Sequence, residues 1–156
     1  MAWQWWLLLH LTGVLVFVGA HGVSMFVLYR IRGERDRLRI AELITFSGTT
    51  TRPMYIGLLI LAVGGVGAGL TLHLFSQAWL WVSIAILLVT IGLMTGLAAP
   101  YFRRITAACE VRPSGVPRVS DEELGQLLRS GEAHVISAIG VAGLLSILYL
   151  MLFKPF

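Results

Sequence analysis

The sequence predicts an all-α membrane protein, a bundle of four transmembrane helices. Of its 156 residues 57% are apolar and only 13% are charged, whereas soluble domains carry about 25% charged residues. Mean hydropathy is +0.83. No Asp, Glu, Lys or Arg occurs between Pro53 and Phe102, a stretch that can cross a bilayer twice at about 20 residues per crossing. This composition excludes a soluble enzyme, a secreted disulfide scaffold and a disordered tail.

Four apolar runs are each long enough to cross about 30 Å of hydrocarbon. Runs of this length without period-two alternation satisfy their backbone hydrogen bonds as helices, not as barrel strands. Pro53 and Pro100 are interpreted as span boundaries. Residues 1–156 are therefore predicted to form one transmembrane domain, with spans at about 5–29, 54–75, 78–102 and 134–153.

The basic residues predict the orientation of these spans. Eleven of the twelve lie in two segments that a four-span chain places on the same side of the membrane, and only Lys154 lies on the other side. Because basic loops stay in the cytoplasm, both termini are predicted outside, and the loops are expected to contact anionic lipid. A partner protein on the inner face is the alternative, and a nucleic-acid partner is set aside. The arginines are Arg30, Arg32, Arg35, Arg37, Arg39, Arg52, Arg103, Arg104, Arg112, Arg118 and Arg129.

The second basic loop is predicted to contain a short amphipathic helix. Ser120-Asp121-Glu122-Glu123 matches a capping box, in which the serine hydroxyl and the last glutamate satisfy backbone amides at the helix start. An apolar stripe then follows at helical spacing, formed by Leu124, Leu127 and Leu128. This helix is expected to lie along the inner membrane surface and to lead into the fourth span.

Small residues four apart predict where helices pack closely. The pairs are Gly65 with Gly69, Gly92 with Gly96, and Ala20 with Ser24. Such pairs let two backbones approach within a membrane. They predict packing seams inside the bundle, with homodimerisation as the alternative.

All four histidines fall in or at the edge of the spans, where an ionisable residue suggests a functional site. Helix geometry places His10 and His73 near the outer side, where they could share a layer, and directs His21 into the same seam as His10. His134 opens the fourth span at the inner side. Paired imidazoles from facing helices can hold the iron of haem b.

These histidines also fit other roles. His21 is expected roughly 12 Å from the layer of His134, which weakens an inner pair. Structural or interfacial histidines, and a copper or proton-handling site, are the alternatives to haem. The methionines Met25, Met54, Met94 and Met151 occur on separate helices, so no methionine cluster and no metal site are predicted.

The first helix carries a short pattern that resembles a known group. Leu9-His10-Leu11-Thr12-Gly13, then Gly19-Ala20-His21-Gly22 and Tyr29-Arg30, look like the small bacterial four-helix predicted integral membrane proteins of unknown function. That group more distantly resembles copper-resistance D type proteins and the four-helix protoporphyrinogen oxidase type, in which an early histidine of the first helix would correspond to His10. Unlike the oxidase type, this chain has no further charged residues in its spans.

The sequence thus favours a non-enzymatic subunit or scaffold, multi-pass in a bacterial cytoplasmic membrane, with the lipid bilayer and a second copy or another membrane protein as partners. A b-type haem protein that transfers electrons or handles haem is the alternative, with His10, His73, His21 and His134 as candidate ligands. A metal or small-solute permease is the weaker alternative, since the spans contain no carboxylate and no helix broken at the midplane.

Overall fold

The computed structural model describes residues 2–155, which form helices joined by turns and loops. Four segments are long and apolar enough to cross a membrane: Ala2–Gly33, Arg37–Thr71, Ala78–Cys109 and Asp121–Phe153. The prediction of an all-α chain with four segments long and apolar enough to span a membrane is confirmed. The helices are α1 (Ala2–Arg30), α2 (Arg37–Thr49), α3 (Thr51–Thr71), α4 (Ala78–Cys109), α5 (Asp121–Arg129) and α6 (Glu132–Phe153).

The two prolines act differently from one another. The second long segment bends at Thr50, between α2 and α3, and Pro53 in the first turn of α3 has no N–H to donate to the Thr49 carbonyl. Pro100 lies inside α4, which continues to Cys109, so its interpretation as a boundary is wrong. Proline is tolerated inside transmembrane helices because neighbouring groups can satisfy the freed carbonyl.

The long helices associate as two pairs, α1 with α3 and α4 with α6. The pairs meet where α1 passes α6 and at the arginine-rich end of the molecule. A short turn (72–77) joins α3 to α4, yet these two helices do not pack along each other. The arrangement therefore differs from the predicted bundle because α3 packs on α1 instead.

Three glycines bring α1 and α3 into backbone contact, and we call Gly13, Gly57 and Gly64 the glycine seam. A Cβ on Gly13 would lie 2.2 Å from the backbone nitrogen of Leu61, and one on Gly64 would lie 2.4 Å from the backbone nitrogen of His10. On Gly57 the distance to the Phe17 nitrogen would be 2.6 Å. Real side chains cannot occupy these positions without separating the helices.

The predicted small-residue pairs differ in whether they pack against a neighbouring helix. Gly65 and Gly69 lie against the side chains of His10 and Phe75, so they flank the glycine seam without forming its closest contacts. Within residues 2–155, and apart from the neighbouring backbone of α4 itself, no atom lies within 4 Å of a Cβ added at Gly92 or Gly96. The prediction that Gly92 and Gly96 pack within the bundle is therefore wrong.

Ser24 contributes hydrogen bonds to the packing of α1 on the bend between α2 and α3. The Ser47 hydroxyl donates to the Ser24 hydroxyl at 3.0 Å, and the Thr50 hydroxyl lies 3.4 Å from the same atom. The Thr50 hydroxyl also donates to the Ser47 carbonyl at 2.7 Å. The bend is therefore held to α1 by polar groups that satisfy one another.

The second pair, α4 with α6, packs through small and flexible side chains. The methyl group of Met94 would lie 2.9 Å from a Cβ at Gly140, and the Thr90 hydroxyl 2.5 Å from one at Gly143. At the far end, the Lys154 ammonium lies 5.8 Å from the ring centre of Trp79, which is within range of a cation–π attraction. These contacts define an antiparallel register along the whole pair.

The most deeply buried cluster lies at the arginine-rich end, and we call it the basic-end core. It joins the ends of α1 and α4 to α2, α5 and the start of α6, so the two helix pairs are connected here. Its residues are Val27, Leu28, Ile31, Ile40, Tyr101, Ile105, Ala108, Leu124, Leu128, Ala133 and Ile136.

Helix α5 supplies part of this core. Ser120 and Glu123 form the capping box expected from the sequence, and Leu124 and Leu128 are buried in the core. The position of α5 relative to the membrane surface stays a prediction.

Two arginines close the basic-end core by bonding to helix ends. Arg37 donates to the Ala108 carbonyl at 2.8 Å and to the Val119 carbonyl at 2.7 Å, and it pairs with Asp121. Arg32 donates to the Ser130 carbonyl at 2.8 Å. The Ala108 and Ser130 carbonyls lie at the C-terminal ends of α4 and α5, where a cation satisfies acceptors that have no partner within the helix and offsets its dipole. The Val119 carbonyl lies just before the start of α5. These two arginines therefore stabilise the packing of the helices in addition to contributing positive charge.

The glycine seam can be tested by adding one methyl group. Gly64→Ala is expected to lower the free energy of unfolding in detergent by about 1–3 kcal/mol, because overpacking forces the two backbones apart. Loss of helical circular dichroism on heating measures the change. Gly92→Ala is the control, since its methyl group meets nothing within 4 Å. Equal losses in the two variants would contradict the seam.

The role of Arg37 predicts a second effect on stability. Arg37→Ala is expected to cost about 2 kcal/mol, because a largely buried guanidinium leaves two carbonyls and a carboxylate without their donor. Amide hydrogen exchange at the end of α4 should accelerate. Arg35→Ala serves as the control, since the Arg35 side chain has no hydrogen bond or ion pair within residues 2–155. Unchanged exchange at Ala108 in Arg37→Ala would refute the assignment.

Candidate functional site

His10 lies inside the contact between α1 and α3 and is only 9% exposed. Its Nδ1 donates to the Leu61 carbonyl at 2.7 Å. Because a carbonyl only accepts, this bond assigns the proton to Nδ1 and leaves the lone pair on Nε2. The bond gives the buried imidazole a hydrogen-bond partner and connects α1 to α3. This arrangement fits a structural role for His10, which was one alternative to haem binding. Metal-binding histidines also bond in this way through their second nitrogen.

His73 ends α3 instead of facing His10. Its backbone is left-handed, with φ 54° and ψ 36°, and its carbonyl accepts from the Ser76 hydroxyl at 3.1 Å. The His10 ring lies beside Gly65, and His73 follows Gly65 by eight residues, or about 12 Å of helix. The structure does not bring His10 and His73 into one layer, so the pairing expected for these two residues is not formed.

His21 points from α1 towards α6. Its ring stacks on Phe17, with the ring centres 5.8 Å apart and the planes 4° from parallel. Nε2 lies 3.4 Å from the place that a Cβ on Gly140 would take. Within residues 2–155 no group forms a hydrogen bond with the His21 ring. This imidazole is therefore oriented by stacking while its nitrogens remain available.

His134 is exposed at the start of α6. Its Nδ1 lies 3.4 Å from the Tyr29 hydroxyl, and the two ring centres are 5.7 Å apart. Tyr29 follows His21 by eight residues on α1, again about 12 Å. His21 and His134 therefore lie in different layers, at the separation expected from the sequence. With neither pair in one layer, haem binding stays a prediction without an observed two-histidine site.

The structure brings together residues that the sequence did not connect. The methyl group of Met94 on α4 and Nε2 of His21 on α1 lie 2.9 Å and 3.4 Å from the same point, the place of the missing Cβ of Gly140. Both side chains therefore pack against Gly140, and Met94 leaves too little room there for a methyl group. Ser137, one turn earlier on α6, is only 8% exposed, and its buried hydroxyl has no hydrogen-bond partner within the described chain.

Side chains that commonly bind metal ions do not form a cluster of three or more in the described part of the chain. No group of three or more His, Cys, Asp or Glu side chains within residues 2–155 could hold a metal ion. The four methionines named from the sequence lie on different helices, and Met94 on α4 packs opposite Gly140 of α6, which His21 of α1 also approaches. The sequence signal for this contact is Gly140 in α6. It can be paired with Met94 only once the register of α4 against α6 is known.

Glu34 organises the first arginine-rich segment. The backbone amides of Arg35 and Asp36 donate to its carboxylate, and Arg30 and Arg39 form ion pairs with it at 3.3 and 3.4 Å. These donors and positive charges hold the pKa of Glu34 below its usual range. Glu34 therefore remains a carboxylate at neutral pH and neutralises part of the positive charge of this segment.

Several arginines are left for contacts outside the chain. The side chains of Arg35, Arg52, Arg103 and Arg112 form no hydrogen bond or ion pair with any residue in the range 2–155. Free guanidinium groups near helix ends suit phosphate head groups.

Comparison with protein-family models, curated proteins and solved structures finds no match to this chain.

Proposed function

We propose that this protein is a non-enzymatic subunit of a membrane assembly, and that it associates with a second copy of itself through α4. The observation that carries the proposal is the unpartnered glycine pair Gly92 and Gly96. The proposed location is a bacterial cytoplasmic membrane, with both termini outside.

Helix α4 is the least covered of the four long segments. Only 6% of its most apolar window is buried inside the protein, compared with 28% for the segment Arg37–Thr71. An exposed stripe follows a spacing of three and four residues, which lies on one helix face. Its members are Ala85, Val89, Gly92, Gly96 and Ala99.

The glycine seam shows what such a face does within this protein. There, glycines allow α1 and α3 to touch backbone to backbone. Transmembrane helices gain no hydrophobic energy from association, so small residues and close packing provide the attraction. Gly92 and Gly96 offer the same kind of surface, and nothing in the described chain covers it.

A second copy fits this face because the face is complementary to itself. Two parallel α4 helices related by a twofold axis would cross at the glycine pair at about −40°, as small-xxx-small helices do. Arg103 lies seven residues beyond Gly96, about 10 Å along the helix. The crossing angle would separate the two Arg103 side chains, and anionic head groups could neutralise them.

Substitution of the glycine pair tests this proposal. Gly96→Leu is expected to convert a dimer in mild detergent to a monomer, because the leucine side chain separates the two crossing backbones. Light scattering coupled to size-exclusion chromatography measures the protein mass. Gly19→Leu is the matched control, since Gly19 is also an exposed helical glycine with nothing within 4 Å, and it should remain dimeric.

Two results would count against association through α4 with a second copy. The first is a wild-type protein that stays monomeric at every concentration. The second is a dimer that Gly96→Leu leaves intact. A monomer that co-purifies with a different membrane subunit, in a manner that Gly96→Leu abolishes, would assign the face to that subunit instead.

The orientation of the proposed subunit rests on the arginine-rich end, which lies on the inner side if basic loops stay in the cytoplasm. Alkaline phosphatase, which is active only outside the cytoplasm, should be active when fused to the C-terminus. It should be inactive when fused after Gly115, which lies in an exposed turn between α4 and α5. The reverse pattern would refute the orientation.

A further inference from the structure

An apolar groove lies between α4 and α6, towards the end of the molecule opposite the arginine-rich end. Its volume is about 420 Å³. Leu145, Tyr149 and Val82 are 57%, 53% and 39% exposed, so the groove opens onto the surface of the protein, which faces lipid in a membrane. Its lining residues are Val82, Ile86, Leu145, Ser146, Tyr149 and Leu150.

Lys154 lies at the end of this groove. It follows Leu150 by four residues on α6, which places it on the same helix face as the groove lining. Trp79 precedes Val82 by three residues on α4, again on the same face. The Lys154 ammonium lies 5.8 Å from the Trp79 ring centre, and the Lys154 amide donates to the Leu150 carbonyl at 3.0 Å. The groove therefore has a positive charge at one end and apolar walls along its length.

The charge at this end favours an anionic lipid head group. All eight Asp and Glu residues lie in residues 34–42 and 110–132, at the arginine-rich end, and Lys154 forms no ion pair within residues 2–155. A basic residue at a membrane surface attracts anionic head groups. A zwitterionic head group would bring its own ammonium beside Lys154, and no Asp or Glu at this end could receive that ammonium.

The length of the groove fits one acyl chain. Lys154 and Leu145 are nine residues apart on α6, about 14 Å along the helix. One leaflet provides about 15 Å of hydrocarbon, half of the core thickness of about 30 Å. A phosphate beside Lys154 would therefore place an acyl chain of the same lipid along the groove as far as Leu145.

From this geometry we infer that the groove binds one anionic phospholipid, with its phosphate at the Lys154 ammonium and one acyl chain between α4 and α6. The inference goes beyond the proposed association through α4 and does not rest on it, because every residue of the site comes from one chain. The proposed orientation decides only which leaflet supplies the lipid.

Tryptophan fluorescence tests the inference. The full-length chain is reconstituted in phosphatidylcholine vesicles with a small fraction of phosphatidylglycerol that carries a nitroxide quencher at the head-group end of one acyl chain. Labelled phosphatidylcholine is the reference lipid. Stronger, saturable quenching by the labelled phosphatidylglycerol is expected. Lipids at the arginine-rich end contribute little, because all tryptophans of the chain lie towards the Lys154 end: Trp3, Trp5, Trp6, Trp79 and Trp81.

Removal of the positive charge tests the head-group contact. Lys154→Gln keeps the side-chain length and is expected to lower the preference for phosphatidylglycerol over phosphatidylcholine about fivefold, since one basic residue near the surface contributes about 1 kcal/mol to the attraction of anionic lipid. Arg35→Gln is the control, because it removes an exposed charge at the other end of the molecule and should leave the preference unchanged.

Two leucines of α6 form a matched pair for the acyl-chain contact. Leu145 and Leu148 are both 57% exposed, but Leu145 lines the groove and Leu148 does not. Leu145→Ala is expected to weaken quenching by both labelled lipids, because the acyl chain loses contacts with the groove wall, whereas Leu148→Ala should quench like the parent protein. Circular dichroism identifies variants that remain folded.

Three results would overturn the inference. The first is equal quenching of the parent protein by the two labelled lipids. The second is a preference for phosphatidylglycerol that folded Lys154→Gln retains in full. The third is an equal effect of Leu145→Ala and Leu148→Ala on quenching.

Discussion

The backbone contact between α1 and α3 is the constraint on which the rest of the structure depends. At Gly13, Gly57 and Gly64 the two helices approach more closely than any side chain would permit. Helix α3 packs against α1 and not along α4, although a short turn connects α3 to α4. Helix α4 pairs with α6 instead. Two helix pairs replace a closed bundle, and one face of α4 is left uncovered. In a membrane, where helices gain little from hydrophobic contact, differences in close packing of this kind decide the arrangement.

The arginine-rich end holds the two pairs together. An apolar core joins α1, α2, α4, α5 and α6, and Arg37 and Arg32 bond across it to the Ala108 and Ser130 carbonyls at the C-terminal ends of α4 and α5. These bonds satisfy acceptors that a helix leaves unpaired at its C-terminus. Arginines that predict the orientation of the chain in the membrane therefore also connect one helix to another. Arginines without such bonds, Arg52 and Arg103 among them, remain for head groups at the membrane surface.

This arrangement places His21 where the two helix pairs meet. His21 of α1 and Met94 of α4 both pack against Gly140 of α6, so three helices meet there. Met94 also packs against the basic-end core, so this contact adjoins that core. The face of α4 around Gly92 and Gly96 is a separate surface, and no other packing group of residues 2–155 lies within 4 Å of a Cβ added there.

The sequence by itself determined that the chain is helical, that four segments can span a membrane, and that a capped helix begins at Ser120, because apolar run length and capping chemistry are local properties. Helix geometry along a single segment also indicated the distance between His21 and His134. The tertiary structure alone decided which helices pair. Several glycines could form a seam, and the register that brings Gly64 onto His10 emerges only when whole helix faces are fitted together. The contact of His21 and Met94 with Gly140 depends on the same pairing, and positions on three separate helices could not reveal it.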